Sequence, residues 1–153
     1  MKPNLKVLMK SSLFQGVTEE ELGAMLECLA PTERKYGKND VILLAGTKVS
    51  SIGILLEGNA QITRDDAEGN RAILSELEQA DLFAEAYVAA DFVEIPITVI
   101  ATSDCRILWI PFGKIIRPCN ASCGFHNVLI QNMMRVIAMK NVMMNEKMRL
   151  LSC

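Results

Sequence analysis

Between Thr32 and Ile110 the chain is written in short runs of Ile, Val and Leu, cut by turn residues at intervals near ten: Gly37-Lys38-Asn39-Asp40, Gly46, Glu57-Gly58-Asn59, the acidic stretch 65–70, Gln79-Ala80-Asp81 and Ser103-Asp104. Short strands of this regularity predict a sandwich, barrel or β-roll. The clearest hairpin joins Ala60-Gln61-Ile62-Thr63-Arg64 to Arg71-Ala72-Ile73-Leu74-Ser75 across a turn in which Gly69-Asn70 can take positive φ. One segment departs from the pattern: the Ala-rich run Ala84-Glu85-Ala86-Tyr87-Val88-Ala89-Ala90 favours a helical turn inserted between strands.

Helical signals flank this region. Leu5, Val7, Leu8, Leu13 and Phe14 predict a short amphipathic helix ending near Gly16. Thr18-Glu19-Glu20-Glu21 offers a capping box, followed by Leu22, Met25, Leu26 and Leu29 at helical spacing, so a second helix starts there and stops before Pro31. Pro111 opens a short element that Pro118 closes, and from about Ser122 to Ser152 only Gly124 interrupts a single long helix. Along it Ile130, Met134, Ile137, Asn141, Met144, Met148 and Leu151 follow a strict 4-3-4-3-4-3 spacing, the seam of a coiled coil with an Asn that sets register. A second stripe, Leu129, Met133, Val136, Met143 and Leu150, is interrupted by Lys140 and Lys147. A helix with two apolar stripes must bury both, so one is expected to face a partner helix and the other the β region.

The 153 residues, half of them hydrophobic, suffice for one folded domain and exclude a disordered chain. No apolar run reaches the roughly 18–20 residues of a membrane span, and the amino terminus lacks the form of a secretory signal. The expected compartment is the cytoplasm, where the five Cys would be reduced thiols. Charge is uneven: residues 1–113 hold 10 basic and 17 acidic side chains, and residues 114–153 hold 6 basic and 1 acidic. Six dispersed cations without interleaved aromatics fit a basic helix balancing an acidic body, not a nucleic-acid footprint.

The order of elements, and particular residues within it, resemble the sensor half of the Crp/Fnr family of bacterial transcription regulators. The residues are Val41-Ile42-Leu43-Leu44-Ala45-Gly46, Ile54-Leu55-Leu56-Glu57-Gly58-Asn59-Ala60-Gln61-Ile62, Leu82-Phe83-Ala84-Glu85, Val99-Ile100-Ala101-Thr102 and Cys105-Arg106-Ile107-Leu108-Trp109-Ile110. The resemblance implies a mainly β fold: a β-roll of the double-stranded β-helix, jelly-roll-like kind over residues 1–121, with two amino-terminal helices, and a long dimerisation helix over residues 122–153. It also implies that the inserted helix is a phosphate-binding cassette, which in the cyclic-nucleotide branch reads Gly-Glu and, ten residues on, Arg and Ser or Thr. There the Glu accepts from ribose hydroxyls and the Arg pairs with the phosphate.

Here Ala84-Glu85 stands in place of Gly-Glu, and Ile95-Pro96 in place of the Arg pair. A buried phosphate would lack its counter-charge, so cyclic AMP is not the expected ligand. Ala84, Glu85, Ala86, Ile95, Ile97 and Val99, with Met143 and Met144 from the long helix, are expected to line an apolar, adaptable pocket for a small hydrophobic or neutral effector. Core and dimer packing is the alternative role of the Met-rich stretch.

Cys119-x-x-x-Cys123-x-x-His126 gathers ligand types suited to zinc or iron, although no fourth ligand is evident. No cofactor is implied with certainty. The expected function is a homodimeric effector-sensing domain of a regulator that would reach DNA only through a helix-turn-helix module, which this chain lacks. Metal or redox sensing through Cys119, Cys123 and His126, or a ligand-free cupin-like interaction protein, are the alternatives. Cupin enzymes hold a metal inside the roll with several His, whereas this chain has one His, so catalysis is not expected.

Overall fold

The computed structural model describes residues 5–117 and 125–151, with side chains described as far as Met143. Among the described residues eight strands form two four-stranded sheets, every pairing antiparallel: β1 (Thr32–Tyr36), β8 (Cys105–Pro111), β3 (Ser51–Glu57) and β6 (Leu82–Phe83) in one, and β2 (Val41–Leu43), β7 (Thr98–Ala101), β4 (Ala60–Asp65) and β5 (Arg71–Leu77) in the other, in those spatial orders. Apart from the β4–β5 hairpin, strands that follow one another in the chain lie in different sheets, so the chain winds from one to the other as a roll does. Strand β3 explains why the core is tight. Ile52 to Leu56 are all buried, and Gly53 lies so close to the Phe83 ring that a Cβ there would come within 2.2 Å of it. The missing side chain leaves room for the tip of the Phe83 ring, which meets Trp109 edge to face at 5.4 Å.

The hairpin between β4 and β5 turns where the sequence predicts, with Gly69 alone at positive φ and the Asp66 carboxylate accepting from the backbone N–H groups of Glu68 and Asn70. Strand β5 pairs on one edge only, and six of its seven residues are exposed.

The predicted first helix divides. It forms α1 (Leu5–Leu8) and a separate 3-10 turn (Ser12–Phe14), because the Ser11 hydroxyl accepts from the Leu13 N–H and starts a new cap in mid-segment. Helix α2 (Glu19–Leu29) carries the full capping box: the Thr18 hydroxyl accepts from the Glu21 N–H, and the Glu21 carboxylate accepts from the Thr18 N–H, each at 3.1 Å. Helix α3 (Glu85–Ala89) is the Ala-rich insertion, with β6 formed just ahead of it, and α4 (Phe112–Ile116) follows Pro111. Helix α5 (His126–Leu151) is the long carboxyl-terminal helix.

Helix α5 sits on the rest of the domain by one face. Leu129 and Met133 are buried, Val136 packs against the same core, and the Asn132 amide donates to the Leu13 carbonyl at 2.8 Å and the Gln15 carbonyl at 3.0 Å. These two bonds satisfy carbonyls that the end of the 3-10 turn leaves open. Large apolar side chains stay exposed elsewhere on the helix: Met134 at 66% on the side away from the contact, Met139 at 54% and Val142 at 53%, and Met143 at 58% further along the stripe of Leu129, Met133 and Val136. No helix among the described residues is long and apolar enough to cross a membrane.

Candidate functional site

The inserted helix α3 begins with backbone that its own sequence disfavours. Ala84, its N-cap, takes φ 70°, the left-handed region where a Cβ is penalised and where the resemblance puts a glycine. That bend turns Glu85 inward. Its side chain is only 3% exposed, and it forms an ion pair with the ammonium of Lys140 from α5. The same ammonium donates to the Leu82 carbonyl at 3.1 Å. One lysine therefore ties α5 to both β6 and α3, and the buried carboxylate is neutralised by a group from 55 positions further along the chain.

Beside the pair lies a cavity of about 350 Å³ between α5 and the sheet that carries β4 and β5. Its walls combine apolar Ile62, Leu77, Leu82 and Val136 with the charged groups Lys10, Glu76, Asp81 and Lys140. Ser12, Ser75 and Gln79 add hydroxyl and amide groups. The volume falls in the lower range for small-molecule sites, and the lining is mixed in polarity with equal numbers of cations and anions.

The residues expected to line a pocket divide in the structure. Ala84, Glu85, Ile95, Ile97 and Val99 are buried, Ala86 and Met143 are exposed, and the Met144 side chain lies outside the described residues. Ile95, Ile97 and Val99 belong to the packed core and are not among the residues that line the cavity. Sequence reasoning missed Lys140, Lys10 and the turn at 79–81. Lys140 carried one signal, since it falls on the buried stripe of Leu129, Met133 and Val136, where a cation needs a partner. No local pattern names a partner so distant in sequence.

His126 is buried at the start of α5, its ring stacked on Phe125. Its Nδ1 is 3.0 Å from the Ile115 carbonyl, and its Nε2 is 4.0 Å from the Cys28 Sγ on α2. Cys119 and Cys123 lie outside the described residues. Among those described, no group of three or more His, Cys, Asp or Glu is placed to hold a metal ion.

Of the predicted dimer seam, Ile130 and Ile137 are half-buried, Met134 and Asn141 are exposed, and the side chains of Met144, Met148 and Leu151 lie outside the described residues.

The model of the cyclic nucleotide-binding domain matches residues 33–121, more than half of the chain, and the chain belongs to that family. Its structural neighbours include Crp/Fnr-family transcription regulators, and it has the size of their amino-terminal sensor domain. The catabolite activator protein of Thermus thermophilus superposes with a TM-score of 0.79 at 20% identity, over 93% of this chain and 63% of that one. The sensor domain of the regulator DNR from Pseudomonas aeruginosa gives 0.70 at 16% identity, over 94% of this chain and 90% of that domain. The amino-terminal domain of a transcriptional regulator from Streptomyces coelicolor A3(2) gives 0.70 at 16%, over 92% and 95%. This chain thus spans less than two thirds of the Thermus protein and nearly all of the two isolated domains. No curated protein shows a match to the sequence.

Proposed function

We propose that this chain is the homodimerising, effector-sensing domain of a Crp/Fnr-like transcription regulator, and that its effector is a small molecule without net charge rather than cyclic AMP. The observation that carries this is the Glu85–Lys140 pair. In the cyclic-nucleotide branch the cassette Glu is free for a ribose and an Arg awaits the phosphate. Here the Glu is already satisfied, and Ile95-Pro96 stands in the place of the Arg and its neighbour. A phosphodiester would have to bring its anion to a cassette that contributes no cation, and would have to break a buried ion pair to reach Glu85. The cavity beside the pair is large enough for a small organic molecule and offers it apolar walls.

Met134, exposed on the 4-3 seam of α5, supports dimerisation through that helix. A row of large apolar side chains on a helix of 26 residues gains by pairing with its own copy, and the 4-3 spacing suits a parallel coiled coil. DNA contact would belong to a separate helix-turn-helix module.

Native mass spectrometry of the purified protein tests the proposal in one experiment. A dimer that retains, or on screening acquires, one small organic molecule per subunit is the expected result. A monomer that binds nothing would refute it.

A further inference from the structure

We infer that Lys140 is a tethered stand-in for the effector's own ammonium group, and that the site therefore takes a zwitterion of the amino-acid type. This rests on the proposed effector cavity and names the class of molecule that fills it.

The two partners of the pair are buried very unequally. The Glu85 side chain is 3% exposed and that of Lys140 is 53% exposed. Taking the ammonium away from Glu85 strands a carboxylate out of water. Taking the carboxylate away from Lys140 leaves a cation that water can still reach. An entering ligand can therefore open the pair at little cost only if it gives Glu85 a replacement cation. A lone anion would draw Lys140 off Glu85 and orphan the carboxylate, and a purely apolar ligand would leave the pair closed.

The surroundings suit an exchange. Lys140 and Leu82 line the cavity, and Glu85 lies behind them, outside the lining, so an incoming ammonium would reach the Glu85 carboxylate and the Leu82 carbonyl only by taking the place that the Lys140 ammonium now fills. Lys10 stands on the same cavity, so the displaced Lys140 and Lys10 can meet the ligand's carboxylate, while Ile62, Leu77 and Val136 hold its apolar part. Glu76 and Asp81 complete the charged lining; Asp81 already accepts from the Glu78 N–H at 2.8 Å. One internal ion pair is exchanged for two between ligand and protein, with no charge left unmatched. Because Lys140 belongs to α5 and Glu85 to α3, the exchange also frees the long helix from the cassette, giving the ligand differential contacts in two states.

Chemical rescue tests the inference. Lys140→Ala removes the atoms of n-propylammonium, so that ion, added as its chloride, should raise the Tm of the variant by several degrees over equal sodium chloride. Wild type and the double variant Glu85→Gln with Lys140→Ala should not respond. A folded Lys140→Ala protein indifferent to propylammonium, or an equal response in the double variant, would overturn the inference. Should Lys140→Ala not fold, wild type is screened against α-amino acids and their N-acetyl derivatives. At least one free amino acid should raise Tm, its acetylated form should not, and Glu85→Gln should lose the response. Absence of any such amino acid, or a response that survives acetylation or Glu85→Gln, would overturn it. Rescue in a protein that proves monomeric yet binds an α-amino acid would uphold the inference and remove the homodimer from the proposal, whereas rescue in a protein that binds no α-amino acid would overturn the inference. An effector bound equally well by Glu85→Gln would overturn the inference and uphold the sensor proposal.

Discussion

Gly58 and Ala84 share the left-handed region of backbone space and obey opposite constraints there. At Gly58, φ is 94° and a Cβ would come within 2.2 Å of the Asp104 carbonyl oxygen, with the Cys105 Sγ at 3.0 Å. Both objections are rigid, so Gly58→Ala should cost about 1–3 kcal/mol in urea unfolding. At Ala84, φ is 70° with the Cβ already present, so Ala84→Gly should relieve strain and raise stability by up to about 1 kcal/mol. Loss of stability at Ala84→Gly would mean that its methyl contributes more by packing than the backbone loses. The glycine was legible from its place in a turn signal, Glu57-Gly58-Asn59. The strained alanine was not, because an Ala-rich run announces only helix. The lysine at 140 was equally opaque: it reads as an interruption of an apolar stripe until the fold brings Glu85 beneath it.

At the scale of elements, capping decides where helices begin. Hydrogen bonds from Thr18, the backbone N–H foremost, hold the Glu21 carboxyl below its usual range. A depressed folded-state value stabilises above the unfolded one and is lost as pH falls through the folded one. The amino-terminal turn of α2 should therefore lose protection from amide exchange between about pH 5 and 3, and Thr18→Ala should flatten that dependence. Unchanged protection across that range would contradict the capping box as its source.

Helix α5 depends on a polar residue in the same way. Asn132→Leu would strip two carbonyls of their donor in a buried place, so a loss of about 2 kcal/mol is expected in thermal or urea unfolding, although Leu is the more hydrophobic. A neutral result would show that water replaces the amide. The inward stripe of Leu129, Met133 and Val136 was readable from spacing alone, whereas the division of the first helix by Ser11 was not. A serine hydroxyl caps or merely faces water according to tertiary context that periodicity does not contain.

At the scale of the molecule, the alternation of short strands with turns narrowed the fold to a sandwich, barrel or roll, because a run of strands that each bury one face has few ways to close. The chain order of helices around it then narrowed the choice to one family. What the sequence could not supply was the wiring between distant elements: a lysine on the last helix meeting a glutamate on the inserted one, and a cavity bounded by the 79–81 turn that no motif marks. Contacts of that kind depend on docking angles set by the whole core.

The most direct test is calorimetric titration of the purified protein with cyclic AMP. An occupied Glu85 and a cassette without its arginine predict no saturable heat at ligand concentrations up to about a millimolar, equivalent to binding weaker than about −4 kcal/mol. Saturable binding in the micromolar range that disappears in Glu85→Gln would show that the cyclic nucleotide displaces Lys140 and finds its counter-charge here after all, which would contradict the account.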